Sequence, residues 1–167
     1  LLVDGLLALA RLEGSATTIE STDVDQVMSE RIELWTPLAA ERDIQLQLSI
    51  TPGLRVQAAP NALSQVLDTF LDNALEYAPH ISVVTLATVV RDSRVEFHVI
   101  DQGPGLSDAE RQRAFDRFWR GQADGNGTGL GLAIASRLAE VSGGTVWLDA
   151  NTPTGIDAVL SLSRSSN

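Results

Sequence analysis

Three segments of this sequence place polar side chains and glycines where they could hold a base, a cation and an anionic tail. The first is residues 60–78. At about 100° per residue, Leu63, Val66, Leu67, Phe70, Leu71, Ala74, Leu75 and Ala78 share one arc of a helix, while Gln65, Thr69, Asp72, Asn73, Glu76 and Tyr77 fill the other. Asn73 and Tyr77 are four residues apart and project side by side. An amide oxygen can ligate a hard cation, and a phenol ring beside it can pack on a base. An ordinary amphipathic helix with one wet face fits the same periodicity. The second segment is Asp101-Gln102-Gly103-Pro104-Gly105-Leu106, directly after the apolar run that ends at Ile100. A carboxylate at a strand end only accepts hydrogen bonds, which suits the exocyclic amino group of adenine. Glycines there let a ligand approach the backbone; a plain turn with an exposed Asp fits as well. The third is Gly127-Thr128-Gly129-Leu130-Gly131-Leu132, which opens a helical pattern of Leu130, Ala133, Ile134, Leu138 and Val141. Free N–H groups and the positive dipole end make such a place an anion site, with a flexible linker as the alternative. Between the glycine segments lies Phe115-Asp116-Arg117-Phe118-Trp119-Arg120. Its aromatics read as core or hinge packing. Arg120 is either a solvated charge or, beside the Gly-, Ala-, Asp- and Asn-rich loop 121–128, an arginine on a mobile loop that could close on phosphates.

The elements that must position these residues follow from period and punctuation. Leu2, Leu6, Leu9 and Leu12 give residues 1–13 a helical stripe already under way at the first residue, which implies an upstream partner helix. Gly14-Ser15 stops it. Asp23 is a candidate N-cap for a helix over 24–42, with Pro37 a candidate kink. Ile44, Leu46, Leu48 and Ile50 alternate with Gln45, Gln47 and Ser49 as in a half-buried strand, and 54–58 reads as a second, short one. Pro60 can start the helix that Pro79 ends. Strands follow over 81–90 and 94–100, then a short helix capped by Ser107-Asp108. A helix over 129–142 is ended by Gly143-Gly144, and strands over 145–150 and 156–163 flank Pro153-Thr154-Gly155. Strands in adjacent pairs with helices between the pairs predict an α+β fold, a two-layer α/β sandwich with helices on one face of a mixed, mostly antiparallel sheet.

Composition narrows the chemistry. The 167 residues include no cysteine, which removes disulfides and thiol catalysis. A formal charge of -10 argues against a nucleic-acid partner. There is no lysine, which excludes a Walker-type phosphate loop. A bound nucleotide would then be held by backbone N–H groups, arginine and a metal. The apolar runs are too short to span a bilayer and no signal peptide opens the chain, so a soluble piece is expected.

Taken together, these segments resemble the histidine-kinase branch of the gyrase, heat-shock chaperone and MutL ATPase superfamily with its Bergerat fold. Leu71 to Tyr77 is similar to that family's N box, Asp101 to Leu106 to its first glycine box, Phe115 to Arg120 to its F box and Gly127 to Leu132 to its second glycine box. Order and spacing match over roughly 15–163. The opening residues 1–14 are similar to the C-terminal end of the dimerisation and phosphoacceptor hairpin that precedes this domain, so that 15–167 would be the catalytic ATP-binding domain. The resemblance implies ATP and Mg2+. Asn73 would ligate the magnesium, Tyr77 pack on adenine, and Asp101 accept from the adenine amino group beside Gly103 and Gly105. Gly127, Thr128, Gly129, Leu130 and Gly131 would line the phosphates, with Arg120 reaching them. The γ-phosphoryl would pass to a histidine upstream of residue 1, and from there to a response regulator. The whole protein is expected to be a homodimer anchored in a bacterial inner membrane, with this domain cytoplasmic.

Three positions depart from the family pattern. Thr69 stands one turn before Asn73, where kinases carry Asn and hydrolysing members a basic Glu. Glu76 replaces a frequent Lys or Arg. The late glycine turn reads Gly155-Ile156-Asp157-Ala158, without the usual aromatic. These departures leave an alternative: a degenerate nucleotide-binding regulatory module with little or no kinase activity. His80 and His98 are read as structural rather than as phosphoacceptors.

Overall fold

The computed structural model describes residues 18–121 and 128–165. The helix read over 1–13, the boundary after residue 14, most of the loop 121–128 and Gly127 lie outside the described residues. The chain order is β1 (Glu20–Asp23), α1 (Val24–Ala40), β2 (Ile44–Ser49), β3 (Arg55–Ala58), α2 (Ala62–Tyr77), β4 (Ser82–Arg91), β5 (Arg94–Ile100), α3 (Asp108–Arg113), α4 (Gly131–Val141), β6 (Thr145–Ala150) and β7 (Ile156–Ser163).

A five-stranded sheet runs β2-β4-β5-β7-β6. Only β2 and β4 are parallel; they are joined through β3 and α2, while the other neighbours are antiparallel. Val84, Leu86, Val95, Phe97, Val99, Ala158, Leu160 and Leu162 alternate onto one face and are fully or almost fully buried. Against them lie Leu63, Val66, Leu67, Phe70, Leu71, Ala74 and Leu75 of α2, Ala135, Leu138 and Ala139 of α4, and Val24 and Met28 of α1, in one continuous core. The fold is thus the two-layer, mostly antiparallel α+β sandwich expected from the sequence.

Local chemistry sets the element ends. Asp23 accepts from the Gln26 backbone N–H at 3.0 Å and caps α1, which runs through Pro37 and stops at Ala40. Pro60 does not open α2. Asn61, in the left-handed region at φ 61°, intervenes and the helix begins at Ala62. Ser107 and Glu110 form a reciprocal capping box at α3. The strand β1 has no counterpart in the sequence reading. Its residues Glu-Ser-Thr-Asp carry no apolar alternation, and it exists because it pairs antiparallel with β3, from Glu20 opposite Ala58 to Asp23 opposite Arg55. The Arg55 guanidinium ties the pair through Ser21 and Asp23.

Candidate nucleotide site

Helix α2 presents its wet face to a cavity of about 650 Å³, within the range of small-molecule sites. Thr69, Asp72, Asn73, Glu76 and Tyr77 line it from α2. Asp101, Pro104, Gly105 and Leu106 line it from the segment after β5. Trp119, Arg120 and Gly121 come from the segment after α3, and Thr128, Gly129, Gly131 and Leu132 from the start of α4. Leu148, Ile156 and Ala158 form its sheet side. Asn73, Asp101 and Thr128, far apart in sequence, therefore share one hollow.

Asp101 is not the exposed residue of a plain turn: it is only 7% exposed. Two backbone N–H groups converge on its Oδ1, from Gly103 at 2.8 Å and Ile156 at 3.2 Å. Among the described residues its Oδ2 takes no hydrogen bond, so that oxygen remains an acceptor for a ligand. Burial pushes the carboxyl above the usual range; the Gly103 and Ile156 hydrogen bonds pull it back, and the nearby Asp157 charge adds to the rise. Gly155 has to be glycine. It sits at φ 116°, and a Cβ there would run into the Asp101 carbonyl oxygen. Only a bare backbone lets β7 approach the Asp101 segment closely enough to supply the Ile156 donor.

Tyr77 stands four residues after Asn73 and is 41% exposed. Its phenol is pushed up first by desolvation, then by Glu76 and Asp72, against a lowering by Arg120. Asn73 carries no hydrogen bond on its amide among the described residues, which leaves the oxygen available. Asp72, Glu76, Asp101 and Glu110 line the cavity against one lining cation, Arg120; among the described residues Arg120 has no ion-pair partner. No cluster of three His, Cys, Asp or Glu able to hold a metal occurs among the described residues. A lone amide oxygen with carboxylates nearby suits an ion that takes its other ligands from phosphate and water, as Mg2+ does.

At the start of α4 the first intrahelical bond runs from Ile134 N–H to the Leu130 carbonyl, so the N–H groups of Gly131 to Ala133 are not used inside the helix. Thr69 of α2 abuts this turn: a Cβ on Gly131 would lie 3.4 Å from its Cγ2. Gly129, at φ 71°, is pressed against the backbone of Phe118 and Trp119, where a Cβ would come within 2.8–2.9 Å. Its carbonyl accepts from the Phe118 N–H at 2.9 Å. The aromatic segment and the second glycine segment are therefore locked together.

Two residues named from the sequence do not line the cavity. Gly103 stands behind Asp101 and orients its carboxylate. Leu130, 1% exposed, is buried in the protein. Neither His80 nor His98 lines it. His98 is held by Asp157, with Nδ1 3.0 Å from either carboxylate oxygen, and Glu96 lies 3.5 Å from Nε2. Sequence reasoning missed Leu148, Ile156 and Ala158. They come from the last two strands and reach the site only through the register that sets Ile100 opposite Asp157.

A two-layer sandwich with such a cavity between its helical layer and one sheet end, lined by a carboxylate, an amide and a helix start, is an architecture able to hold a nucleotide. The family described as histidine kinase-, DNA gyrase B-, and HSP90-like ATPase matches residues 58–165, and the chain belongs to it. Its relatives are sensor kinases. The sensor-like histidine kinase SenX3 of Mycobacterium tuberculosis (strain ATCC 25618 / H37Rv) is 33% identical over 168 residues, covering 96% of this chain and 41% of SenX3. The sensor protein CreC of Escherichia coli (strain K12) is 35% identical over 166 residues, covering 98% of this chain and 35% of CreC. Among solved structures, full-length ShkA in complex with AMPPNP superposes with a TM-score of 0.86 at 30% identity, over 99% of this chain and 36% of ShkA. The mycobacterial sensor histidine kinase MprB gives 0.77 at 28%, over 90% of this chain and all of that one. The chain thus spans about two fifths of the curated relatives it matches.

Proposed function

We propose that this domain binds Mg-ATP in the cavity between α2, the Asp101 segment and the start of α4, and presents the γ-phosphoryl to a histidine on a helical domain of the same kinase. The observation that carries this reading is the shared cavity itself. It brings together an acceptor-only carboxylate, a phenol ring, an unengaged amide oxygen and the free N–H groups of a helix start.

Asp101 Oδ2 would accept from the adenine amino group while Gly103 and Ile156 hold Oδ1. Tyr77 would cover the base, and Ile156, Leu148 and Ala158 would supply its apolar floor. The N–H groups at Gly129 and at Gly131 to Ala133 would meet the phosphates, with Thr128 and Arg120 beside them. Asn73 would hold Mg2+, which when bound neutralises phosphate charge. The acceptor imidazole nitrogen would form a bond to the γ-phosphorus as the bond to the β–γ bridging oxygen breaks, releasing ADP. This domain performs no covalent step; it positions the triphosphate and offsets its charge. We further read the whole protein as a dimeric, membrane-anchored kinase with a response-regulator partner and this domain on the cytoplasmic side. Among the described residues no helix is long and apolar enough to cross a membrane.

A regulatory module without phosphotransfer, suggested by Thr69 and Glu76, is not favoured, because the relatives are named as sensor kinases. Titrating ATP by calorimetry with and without Mg2+ tests the binding step. Saturable binding that strengthens with Mg2+ is expected, and no binding in either condition would overturn the reading. Acid-labile phosphohistidine on the full-length protein supplied with radiolabelled ATP tests the transfer.

A further inference from the structure

The β6–β7 connection does more than turn the chain. Asn151 closes it by donating its backbone N–H to the Gly155 carbonyl at 3.0 Å, while its side-chain Oδ1 accepts from the Thr152 N–H at 2.9 Å. Its Nδ2 then donates to the Asp101 carbonyl at 2.7 Å. Three residues on, the Thr154 hydroxyl donates to the Gly103 carbonyl, also at 2.7 Å. These two side chains grip the peptides on either side of the one whose N–H, that of Gly103, lands on Asp101 Oδ1, and neither lines the cavity. The same short stretch contributes the Gly155 close approach and the Ile156 N–H that lands on Asp101 Oδ1.

The chain of dependence is short. Asp101 Oδ1 is aimed by the Gly103 N–H, and the Gly103 residue is fixed through its carbonyl by Thr154. The Asp101 backbone is fixed by the Ile156 carbonyl on one side, which accepts from its N–H at 2.9 Å, and by Asn151 on the other. Water could satisfy either carbonyl in an ordinary surface turn. Side chains at both positions instead set where the free carboxylate oxygen points, and a purine-reading acceptor needs that direction fixed before the ligand arrives.

We infer that Asn151 and Thr154 are positioning residues for base recognition, a clamp from the β6–β7 turn that orients Asp101 without touching nucleotide. The inference rests on Asp101 reading the adenine amino group. Thr154→Val removes the hydroxyl at constant shape and is expected to weaken Mg-ATP binding by roughly three- to tenfold, the effect of one hydrogen bond. Asn151→Ala removes both side-chain bonds and should weaken it at least as much. GTP has no amino group at the matching purine carbon, so its weaker binding should hardly change and the ATP-to-GTP preference should shrink. Thr154→Ser keeps the donor and should restore the preference.

Titrations of the wild type, Thr154→Val, Thr154→Ser, Asn151→Ala and Asp101→Asn with Mg-ATP and Mg-GTP, alongside melting without nucleotide, decide the matter. Loss of ATP preference in both clamp variants, with melting temperature held and Ser rescuing, supports the clamp. Preserved preference in Thr154→Val and Asn151→Ala, while Asp101→Asn loses it, overturns the clamp and leaves the Asp101 reading standing. Equal losses for ATP and GTP with a lowered melting temperature reduce both residues to structural ones and also overturn it. A wild type that does not distinguish ATP from GTP, unchanged by Asp101→Asn, removes the Asp101 reading and the clamp with it.

Discussion

Replacing Asp101 by asparagine separates ligand recognition from fold stability. In the wild type, Oδ1 accepts from Gly103 and Ile156, and on the proposed reading the other oxygen would accept from the adenine amino group. An asparagine can satisfy the two backbone donors only by placing its single amide oxygen there, which turns its NH2 toward the ligand's own donor. The variant loses a hydrogen bond to a charged acceptor, about 1.5–3 kcal/mol, and leaves two donors facing each other in a desolvated place, about 1–3 kcal/mol. Even near the low end of that sum, about 3 kcal/mol, the loss corresponds to roughly 150-fold in Kd. Stability should move the other way or not at all. Burial raises the Asp101 carboxyl, so ionising it costs the folded state some stability as pH rises past the unfolded value, and the neutral amide escapes that cost. Calorimetry with Mg-ATP beside thermal melting at pH 7 checks both halves. Unchanged affinity would refute the assignment of Asp101 to the base, and a large fall in melting temperature would refute the claim that its charge is not needed for folding.

Gly155→Ala should destabilise by at least about 2–3 kcal/mol, from a positive φ and a Cβ driven into the Asp101 carbonyl, lowering Tm by roughly 5–10 °C for a domain of this size; a Tm within 1 °C of wild type, taking ~1 °C as the resolution of a melt, would refute the overlap. For His98, the hydrogen bond its ring donates to Asp157 raises the pKa against the opposing effect of burial, with Glu96 adding to the rise. Its contribution is therefore complete below the unfolded histidine pKa and is lost as pH climbs through the higher folded value. The stability gap between wild type and His98→Gln should be wider in mildly acidic than in alkaline buffer, and a gap independent of pH would contradict this. Glu76→Gln removes one of the carboxylates lining the cavity and should tighten ATP binding by roughly two- to fivefold at low salt, fading as salt screens the charge. No change at any ionic strength would place Glu76 outside the reach of the phosphates.

Sequence pattern captured those parts of the fold whose signal is local. Seven of the eight apolar positions read over 60–78 form the buried face of α2, because burial on one side of a helix imposes a 3.6-residue period; the eighth, Ala78, lies just past the helix end. Residues 145–150 and 156–163 coincide with β6 and β7 because Gly143-Gly144 and the Pro153-Thr154-Gly155 turn punctuate them sharply. The strand β1 was not legible, since four polar residues become a strand only when β3 supplies their hydrogen-bond partners. The same limit held at the cavity. Asn73, Tyr77 and Asp101 announce themselves by side-chain type, whereas Ile156 contributes a main-chain N–H, which no residue identity encodes. Its place follows from the β5–β7 register and from Gly155. The burial of Asp101 was likewise invisible, because the residues that hold its segment lie 50 and 55 positions away.

A domain of net charge -10 with no lysine is at first sight a poor host for a triphosphate, and the cavity sharpens the difficulty with four lining carboxyl groups around one lining arginine. Opposite and like charges a few ångströms apart interact far more strongly inside such a hollow than in water, so a bare triphosphate would meet repulsion that Arg120 alone does not offset. Two features answer it. The unbonded N–H groups at the start of α4 are fixed partial positive charges that need no ionisable side chain, and Gly129 and Gly131 let the backbone close on Phe118 and Thr69 without a Cβ in the way. On the proposed reading the remaining deficit would fall to a cation at Asn73, and the carboxylates lining the same cavity, which would repel a free triphosphate, would attract that cation. On that reading an acidic pocket would favour metal and nucleotide entering as a pair. Magnesium dependence should accordingly be steeper here than in a site that relies on a lysine, and the acidic lining that looks like a defect would make the domain selective for the metal-bound form; ATP binding by calorimetry that is equally tight with and without Mg2+ would refute this.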